Sequence, residues 1–127
     1  MSEWSSPFLS RTLLRTLSAL LTICLLAQFF VAGVAAMTDL GWSKYHSDWV
    51  AIFQWLVIPL PILAWLGGPP RGRRTLFACI PLLRIALQYA LAHRAIEGRL
   101  AIGQGLHASD AGLLLLIAAG LAVGLFD

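Results

Sequence analysis

Four long apolar stretches, separated by short polar segments, make up most of this 127-residue chain. A helix needs about 20 mostly apolar residues to cross the hydrocarbon layer of a membrane. Each stretch is long enough for that, and the polar segments are too short to fold as a separate soluble domain. The pattern predicts an all-α integral membrane protein, an up-down four-helix bundle that forms one domain over residues 1–127, with spans at about 12–36, 47–66, 75–92 and 106–126.

Prolines and glycines indicate where these helices bend and end. Pro59 and Pro61 lie inside the second span, where each removes a backbone donor, so a kink is expected there. The segment 67–74, Gly-Gly-Pro-Pro-Arg-Gly-Arg-Arg, cannot continue a helix and predicts a turn. Arg11 and Arg15 ahead of the first stretch also suit a signal peptide, but that stretch is longer than a typical signal core, which favours a span.

Composition agrees with a membrane protein. The chain is 59% hydrophobic and 12% charged, and its mean hydropathy is +0.81, well beyond the values of ordinary soluble domains. The net charge of +3 does not indicate nucleic-acid binding, because the arginines cluster at span ends instead of along one face. The two cysteines, Cys24 and Cys79, lie in different spans at different depths, so we expect packing residues and no disulfide.

The basic residues near the span ends predict the orientation. One side carries Arg11, Arg15, Arg71, Arg73 and Arg74, and the other carries Lys44, Arg94 and Arg99. The positive-inside rule then places both termini in the cytoplasm. The expected location is the bacterial inner membrane.

Several polar residues fall inside the predicted spans, where burial is costly unless each finds a partner. They are Gln28, Gln54, Arg84, Gln88, His107 and Asp110, with His46 at the start of span two. Except for Arg84, near the middle of span three, all lie in the outer half of the membrane. The simplest interpretation is that the glutamines bond to each other across helices, for about 0.6 kcal/mol per pair.

The histidines suggest a more specific site. His46 and His107 lie at the starts of two spans that run in the same direction, so the two residues reach similar depths. These spans are diagonal neighbours in an up-down bundle, and their axes are about 13 Å apart if adjacent axes are 8–10 Å apart. That arrangement suits two imidazoles that ligate one heme iron from opposite faces, as in a heme b site. Gln28, Gln54, Gln88 and Asp110 are then candidates for bonding the ligands. Alternatively, both histidines are polar anchors at the interface.

Room for a porphyrin comes from small residues near these histidines. They are Ala32, Gly33, Ala108, Ala111 and Gly112, and the aromatic rings of Trp49 and Phe53 could pack against it. Arg84 lies four residues before Gln88, so both share one helix face. Its possible partners are Asp110, a heme propionate, the headgroup of a lipid or quinone, an acidic group on a partner subunit, or simply Gln88 and backbone carbonyls.

The motifs of soluble enzymes are missing from the sequence. It has no phosphate-binding glycine loop, zinc motif, nucleophile elbow or cysteine heme-attachment motif. Soluble-type enzyme chemistry is therefore not indicated, and whether the chain is an enzyme stays open.

Four short motifs carry a resemblance to known families. They are Gln-Phe-Phe-Val-Ala-Gly at 28–33, His46, Gln88, and Leu-His-Ala-Ser-Asp-Ala at 106–111. With them the chain resembles a family of small uncharacterised four-helix prokaryotic membrane proteins and, distantly, one half of heme A synthase. The resemblance implies that His46 and His107 face a heme. Heme A synthase has a glutamate shortly before its first histidine, where this chain has Lys44 and Tyr45, so the oxidase chemistry does not carry over.

Together these features predict a membrane-embedded b-type heme protein or a heme-bearing subunit of an electron-transfer complex. One alternative is a cofactor-free accessory subunit of a larger respiratory or photosynthetic complex. Another is a small transporter or lipid-binding protein that uses Arg84. The expected partners are the lipid bilayer, other membrane subunits or further copies of the chain, and a quinone, with no nucleic acid.

Overall fold

Helices form nearly all of the part of the chain that the structure, a computed structural model, describes, which is residues 6–38, 41–98 and 102–127. In these ranges the helices are α1 (Ser6–Met37), α2 (Trp42–Phe53), α3 (Pro59–Leu66), α4 (Arg71–Ile96) and α5 (Gly103–Ala122), with a 3-10 turn at Gln54–Val57. Since α2, the turn and α3 form one span, four helical segments are long and apolar enough to cross a membrane. The all-α four-helix membrane fold is confirmed. Arg99, used above for orientation, lies outside the described residues.

The surface and the core both have the character expected in lipid. Large apolar side chains point outward, and Ile23, Phe30 and Leu116 are each more than 60% exposed. Lipid chains solvate such residues, so their exposure carries no penalty. Between the helices, leucines and small alanines such as Ala64 and Ala118 are fully buried. Small side chains at these contacts let the helix backbones approach closely.

The second span is interrupted where the prolines predicted a kink. Pro59 has no N–H to donate to the carbonyl of Trp55, which instead accepts a 3-10 type hydrogen bond from Ile58 (3.3 Å). Beyond this break, α3 packs against both α1 and α4, whereas α2 packs against α1 and, within the described residues, does not approach α4. A gap therefore separates α2 from α4 at one end of the bundle, called here the histidine end.

At the opposite end, called here the arginine end, arginine side chains tie the helices together. The carboxylate of Asp127 accepts hydrogen bonds from Arg15 of α1 and from Arg74 of α4, the latter at 2.7 Å. Arg74 is fully buried and also donates to the carbonyl of Gly68 (3.0 Å). Arg11 donates to two further carbonyls of the turn between α3 and α4. The arginines that predicted orientation thus also fix the packing of the spans.

The last helix ends earlier than the predicted span, because the chain turns sharply after Ala122. Gly124 has φ +75°, a conformation that favours glycine, and the amide after it donates to the carbonyl of Gly120 (2.9 Å). This is the Schellman arrangement that commonly ends helices. The turn stacks Phe126 on Phe77, with ring centroids 3.8 Å apart. It also brings the end of the chain back to the arginines.

The pKa of Asp127 makes this contact sensitive to pH. Burial by itself raises the pKa, but the hydrogen bonds and charges of Arg15 and Arg74 outweigh that effect and hold the pKa below its usual value of 3.8. A carboxyl group whose pKa is lowered by folding stabilises the folded protein above the unfolded-state pKa. That contribution is lost as the pH falls through the folded-state pKa.

The substitution Asp127→Asn is predicted to destabilise the bundle at neutral pH by about 1–3 kcal/mol, because it removes charge-assisted hydrogen bonds and leaves Arg74 buried without a counter-charge. The free energy of unfolding can be measured in detergent micelles by circular dichroism. The difference from the wild type should shrink as the pH falls below 3.8.

A matched control for this prediction is Asp48→Asn, which breaks the exposed pair between Lys44 and Asp48. Exposed ion pairs contribute little to stability, so this variant should unfold almost like the wild type. Equal losses in the two variants would show that the carboxylate of Asp127 has no special role.

Candidate functional site: a cavity between two histidines

A cavity of about 230 Å³ lies at the histidine end, between α1, α2, α4 and α5. Most of its wall is apolar. The lining residues with polar groups are Gln28, His46, Ser47, Gln88, Tyr89 and His107. Because α2 does not approach α4, helix packing does not close the cavity on that side.

His46 and His107 face each other in this cavity. Their ring centroids are 6.2 Å apart and their ring planes are inclined by 63°. Both side chains line the cavity and both residues are half-buried. His93 lies elsewhere, exposed on α4 and paired with Glu97 at 2.9 Å. The structure therefore brings together the two histidines that the sequence predicted to share one depth.

Hydrogen bonds from α1 hold His46 in place. The amide nitrogen Nε2 of Gln28 lies 2.7 Å from Nδ1 of His46 and also donates to the carbonyl of His46 (3.1 Å). One turn along α2, the indole N–H of Trp49 donates to the carbonyl of Cys24 (3.0 Å). The ring and the backbone of His46 are both fixed to α1. The oxygen Oε1 of Gln28 is buried and has no partner within the described residues.

The corresponding glutamine in the second half of the chain holds only the backbone of its histidine. Nε2 of Gln88 donates to the carbonyl of His107 (2.9 Å) and to Oδ2 of Asp110 (2.7 Å). The other carboxylate oxygen of Asp110 accepts a hydrogen bond from Arg84. Nδ1 of His107 is buried and finds no hydrogen-bond partner in ranges 6–38, 41–98 and 102–127. The two halves thus share a glutamine-to-carbonyl contact, but only His46 has its ring bonded.

Other predicted site residues lie beside the cavity instead of in its wall. Gln54 is half-buried and its amide donates to the carbonyl of Ala51 (3.2 Å) within the same span. Asp110 is 4% exposed as a side chain and pairs with Arg84. The wall of the cavity thus contains Gln28 and Gln88 but not Gln54, Arg84 or Asp110.

The small and aromatic residues that the sequence analysis placed beside a porphyrin also differ in whether they line the cavity. Ala32, Ala108, Ala111 and Phe53 line the cavity, while Gly33, Gly112 and Trp49 do not.

Some lining residues were missed by the sequence analysis. Ala92 lies four residues after Gln88, so helical periodicity could have placed both on one face. Ser47 and Tyr89 are different, because they are exposed residues that flank the gap between α2 and α4. No sequence pattern predicts that gap directly, since it follows from how far the break in span two displaces α2.

The spacing of the two rings fits one metal ion between them. In an imidazole, the ligating nitrogen lies roughly 1.1 Å from the ring centroid, and the nitrogen–metal bond is about 2.0–2.1 Å long. The centroids of two imidazoles on opposite sides of one metal ion are therefore about 6.3 Å apart. The observed distance is 6.2 Å. Among the described residues, no group of three or more His, Cys, Asp or Glu side chains could hold a metal ion. Two imidazoles could be the protein ligands of a metal whose other ligands come from a macrocycle.

The contact between Gln28 and His46 is predicted to stabilise the histidine end. Gln28→Leu removes hydrogen bonds to the ring and carbonyl of His46 and should lower the free energy of unfolding by about 1–2 kcal/mol. Gln54→Leu is the matched control and should have a clearly smaller effect, since among the described residues that amide bonds to the carbonyl of Ala51 in its own span. Circular dichroism in detergent measures both, and an equal or larger loss in Gln54→Leu would refute the prediction.

No curated protein and no solved structure matches this chain. These comparisons show no link to heme A synthase. Residues 28–96, just over half of the chain, match the sequence model of one protein family. The matched part contains Gln28, His46 and Gln88 and ends before His107. On this match, the chain belongs to the family of unknown function DUF6220.

Proposed function

We propose that this chain is a membrane-embedded b-type heme protein in which His46 and His107 are the two axial ligands. The observation that carries the proposal is the 6.2 Å spacing of their rings across a mostly apolar cavity. Two neutral imidazoles are a common ligand set for heme iron in electron-transfer proteins. When bound, the heme supplies reversible one-electron chemistry, and the protein contributes ligands, orientation and a dry environment.

Gln28 is suited to orient His46 for this role. If Nε2 of His46 is the ligating atom, Nδ1 carries a proton and needs an acceptor. The amide oxygen and nitrogen of glutamine are nearly equal in size, so a half-turn of the Gln28 amide exchanges them. The oxygen, which is buried and unbonded within the described residues, would then accept the Nδ1 proton, and the bond from Nε2 to the carbonyl of His46 would be given up in exchange.

The cavity offers space on its open side. Its volume of about 230 Å³ is below the roughly 300–1,000 Å³ of typical cofactor pockets, so part of a macrocycle has to extend into the gap between α2 and α4. The cavity wall includes the small side chains of Ala92 on α4 and Ala108 on α5. An apolar ring edge in the gap would meet lipid chains, which solvate it well.

Orientation in the membrane is part of the proposal. We propose that the arginine end, with both termini, faces the cytoplasm of a bacterium and that the cavity lies in the outer half of its inner membrane. The excess of arginine at that end supports this orientation. The hypothesis of a small transporter or lipid-binding protein depended on Arg84, but that side chain is paired with Asp110 and is not in the wall of the cavity.

The experiment is a visible absorption spectrum of the protein purified in mild detergent from heme-supplied cells. The wild type should show a Soret band and the sharp α band of a six-coordinate, low-spin heme in its reduced form. His46→Ala and His107→Ala should both lose this low-spin spectrum, because each removes one ligand. His93→Ala is the matched control and should keep it, since the side chain of His93 is exposed and does not line the cavity.

Two outcomes would refute the proposal. A wild-type protein that is fully helical by circular dichroism, yet colourless even after hemin is added, does not bind heme. Loss of the spectrum in His93→Ala, with retention in the other two variants, would mean that other residues are the ligands. In the first case, the accessory-subunit hypothesis becomes the better one.

A further inference from the structure

We infer that the two histidines are unequal: His46 is the permanent ligand and His107 is the exchangeable one, so a small neutral molecule such as carbon monoxide binds on the His107 side. This inference rests on the proposed function, and it adds a second ligand class to the same cavity. Its basis is the different environment of the two imidazoles.

His46 cannot move its ring without losing contacts. Nδ1 is 2.7 Å from the Gln28 amide, and the same amide donates to the backbone carbonyl of His46 (3.1 Å). The indole of Trp49 fixes the next turn of α2 to α1 through the carbonyl of Cys24. In the structure Nδ1 accepts from Nε2 of Gln28; once the amide is turned so that its oxygen accepts the Nδ1 proton, this bond fixes the tautomer that ligates through Nε2 and makes His46 a stronger ligand.

His107 has a fixed backbone and an unrestrained ring. Gln88 holds only its carbonyl (2.9 Å), and Nδ1 is buried without a partner in the described part of the chain. Rotation of this side chain therefore breaks no hydrogen bond to any residue in the described ranges. A buried ring nitrogen without a partner is also unfavourable, by about 1–3 kcal/mol, so movement toward a polar group or the open side is favoured. His107 is accordingly the weaker of the two ligands.

The space around the rings follows the same asymmetry. After His107, α5 contributes Ala108, Ala111 and Leu114 to the cavity wall. At the matching positions after His46, α2 contributes Ser47, Val50 and Phe53, each of which is larger than its counterpart in α5. Small side chains beside His107 leave room for its ring to swing aside and for a diatomic molecule to take the vacated position. The walls there are apolar, which suits a neutral ligand better than an anion.

The test compares His107→Ala with His46→Ala after both are loaded with hemin. His107→Ala should keep the heme in a five-coordinate, high-spin form, and external imidazole should restore the low-spin spectrum by filling the space that the substitution leaves. His46→Ala should lose heme to an acceptor protein at least about 10-fold faster than His107→Ala. This difference is of the size by which a hydrogen bond to a ligand changes metal affinity.

Carbon monoxide gives a second measurement on the reduced proteins. In the wild type, binding should be limited by release of His107, so the rate should reach a plateau at high carbon monoxide. In His107→Ala no release is needed, and binding should be at least about 10-fold faster. Circular dichroism confirms that both variants are folded, and His93→Ala is the control that should behave like the wild type.

A third measurement needs no heme. Nitrogen-15 NMR of the histidine-labelled protein without added hemin should show a sharp, hydrogen-bonded Nδ1 signal for His46 and exchange-broadened ring signals for His107. Gln28→Leu should make the His46 signals resemble those of His107, whereas Gln54→Leu should leave them unchanged.

The outcomes separate this inference from the proposed function. If the wild type binds heme but the two alanine variants lose it equally fast, or His46→Ala keeps it longer, the inference is wrong and the heme proposal stands. Failure of the reduced wild type to bind carbon monoxide also overturns the inference. A wild type without any Soret band ends the heme proposal itself.

Discussion

Hydrogen bonds between glutamine amides and histidine backbones hold the histidine end of this protein together. Gln28 and Gln88 each reach from one span to the carbonyl of a histidine in the next span, at 3.1 and 2.9 Å. Hydrocarbon offers no competing hydrogen bonds, so a polar group at this depth keeps its protein partner. The contacts set the depth of His46 and His107, and the 6.2 Å spacing of their rings depends on both.

The break in span two gives this pair its cavity. Beyond the break α3 packs against α4, whereas α2 before the break does not, among the described residues, approach α4. Because Pro59 interrupts the backbone hydrogen bonding, α2 instead lies against α1 alone. The gap that results keeps the space beside His46 from being filled by helix packing. A proline more than ten residues away from the histidine thus shapes the candidate site.

Sequence reasoning predicted the features that depend on hydrophobicity and depth. The four spans, the break near Pro59 and the common level of His46 and His107 follow from counting residues along apolar stretches. Features that depend on helix rotation were not predictable, since each residue turns a helix by about 100°. Gln54 was grouped with Gln28 by depth, yet it bonds within its own span. The role of Asp127 was missed for another reason: the turn at Gly124 that returns it to Arg15 and Arg74 depends on tertiary packing.

The unequal environment of the two histidines has its origin in a charge that the third span has to neutralise. Arg84 lies at a depth where an isolated cation is costly, and Asp110 of α5 is its counter-charge. The carboxylate of Asp110 then needs a second donor, which is the amide of Gln88. That amide is consequently directed toward Asp110 and the carbonyl of His107, and the ring nitrogen Nδ1 is left without a bond among the described residues. In the first half of the chain, the amide of Gln28 is not hydrogen-bonded to an ion pair of the described residues, and it contacts the ring of His46.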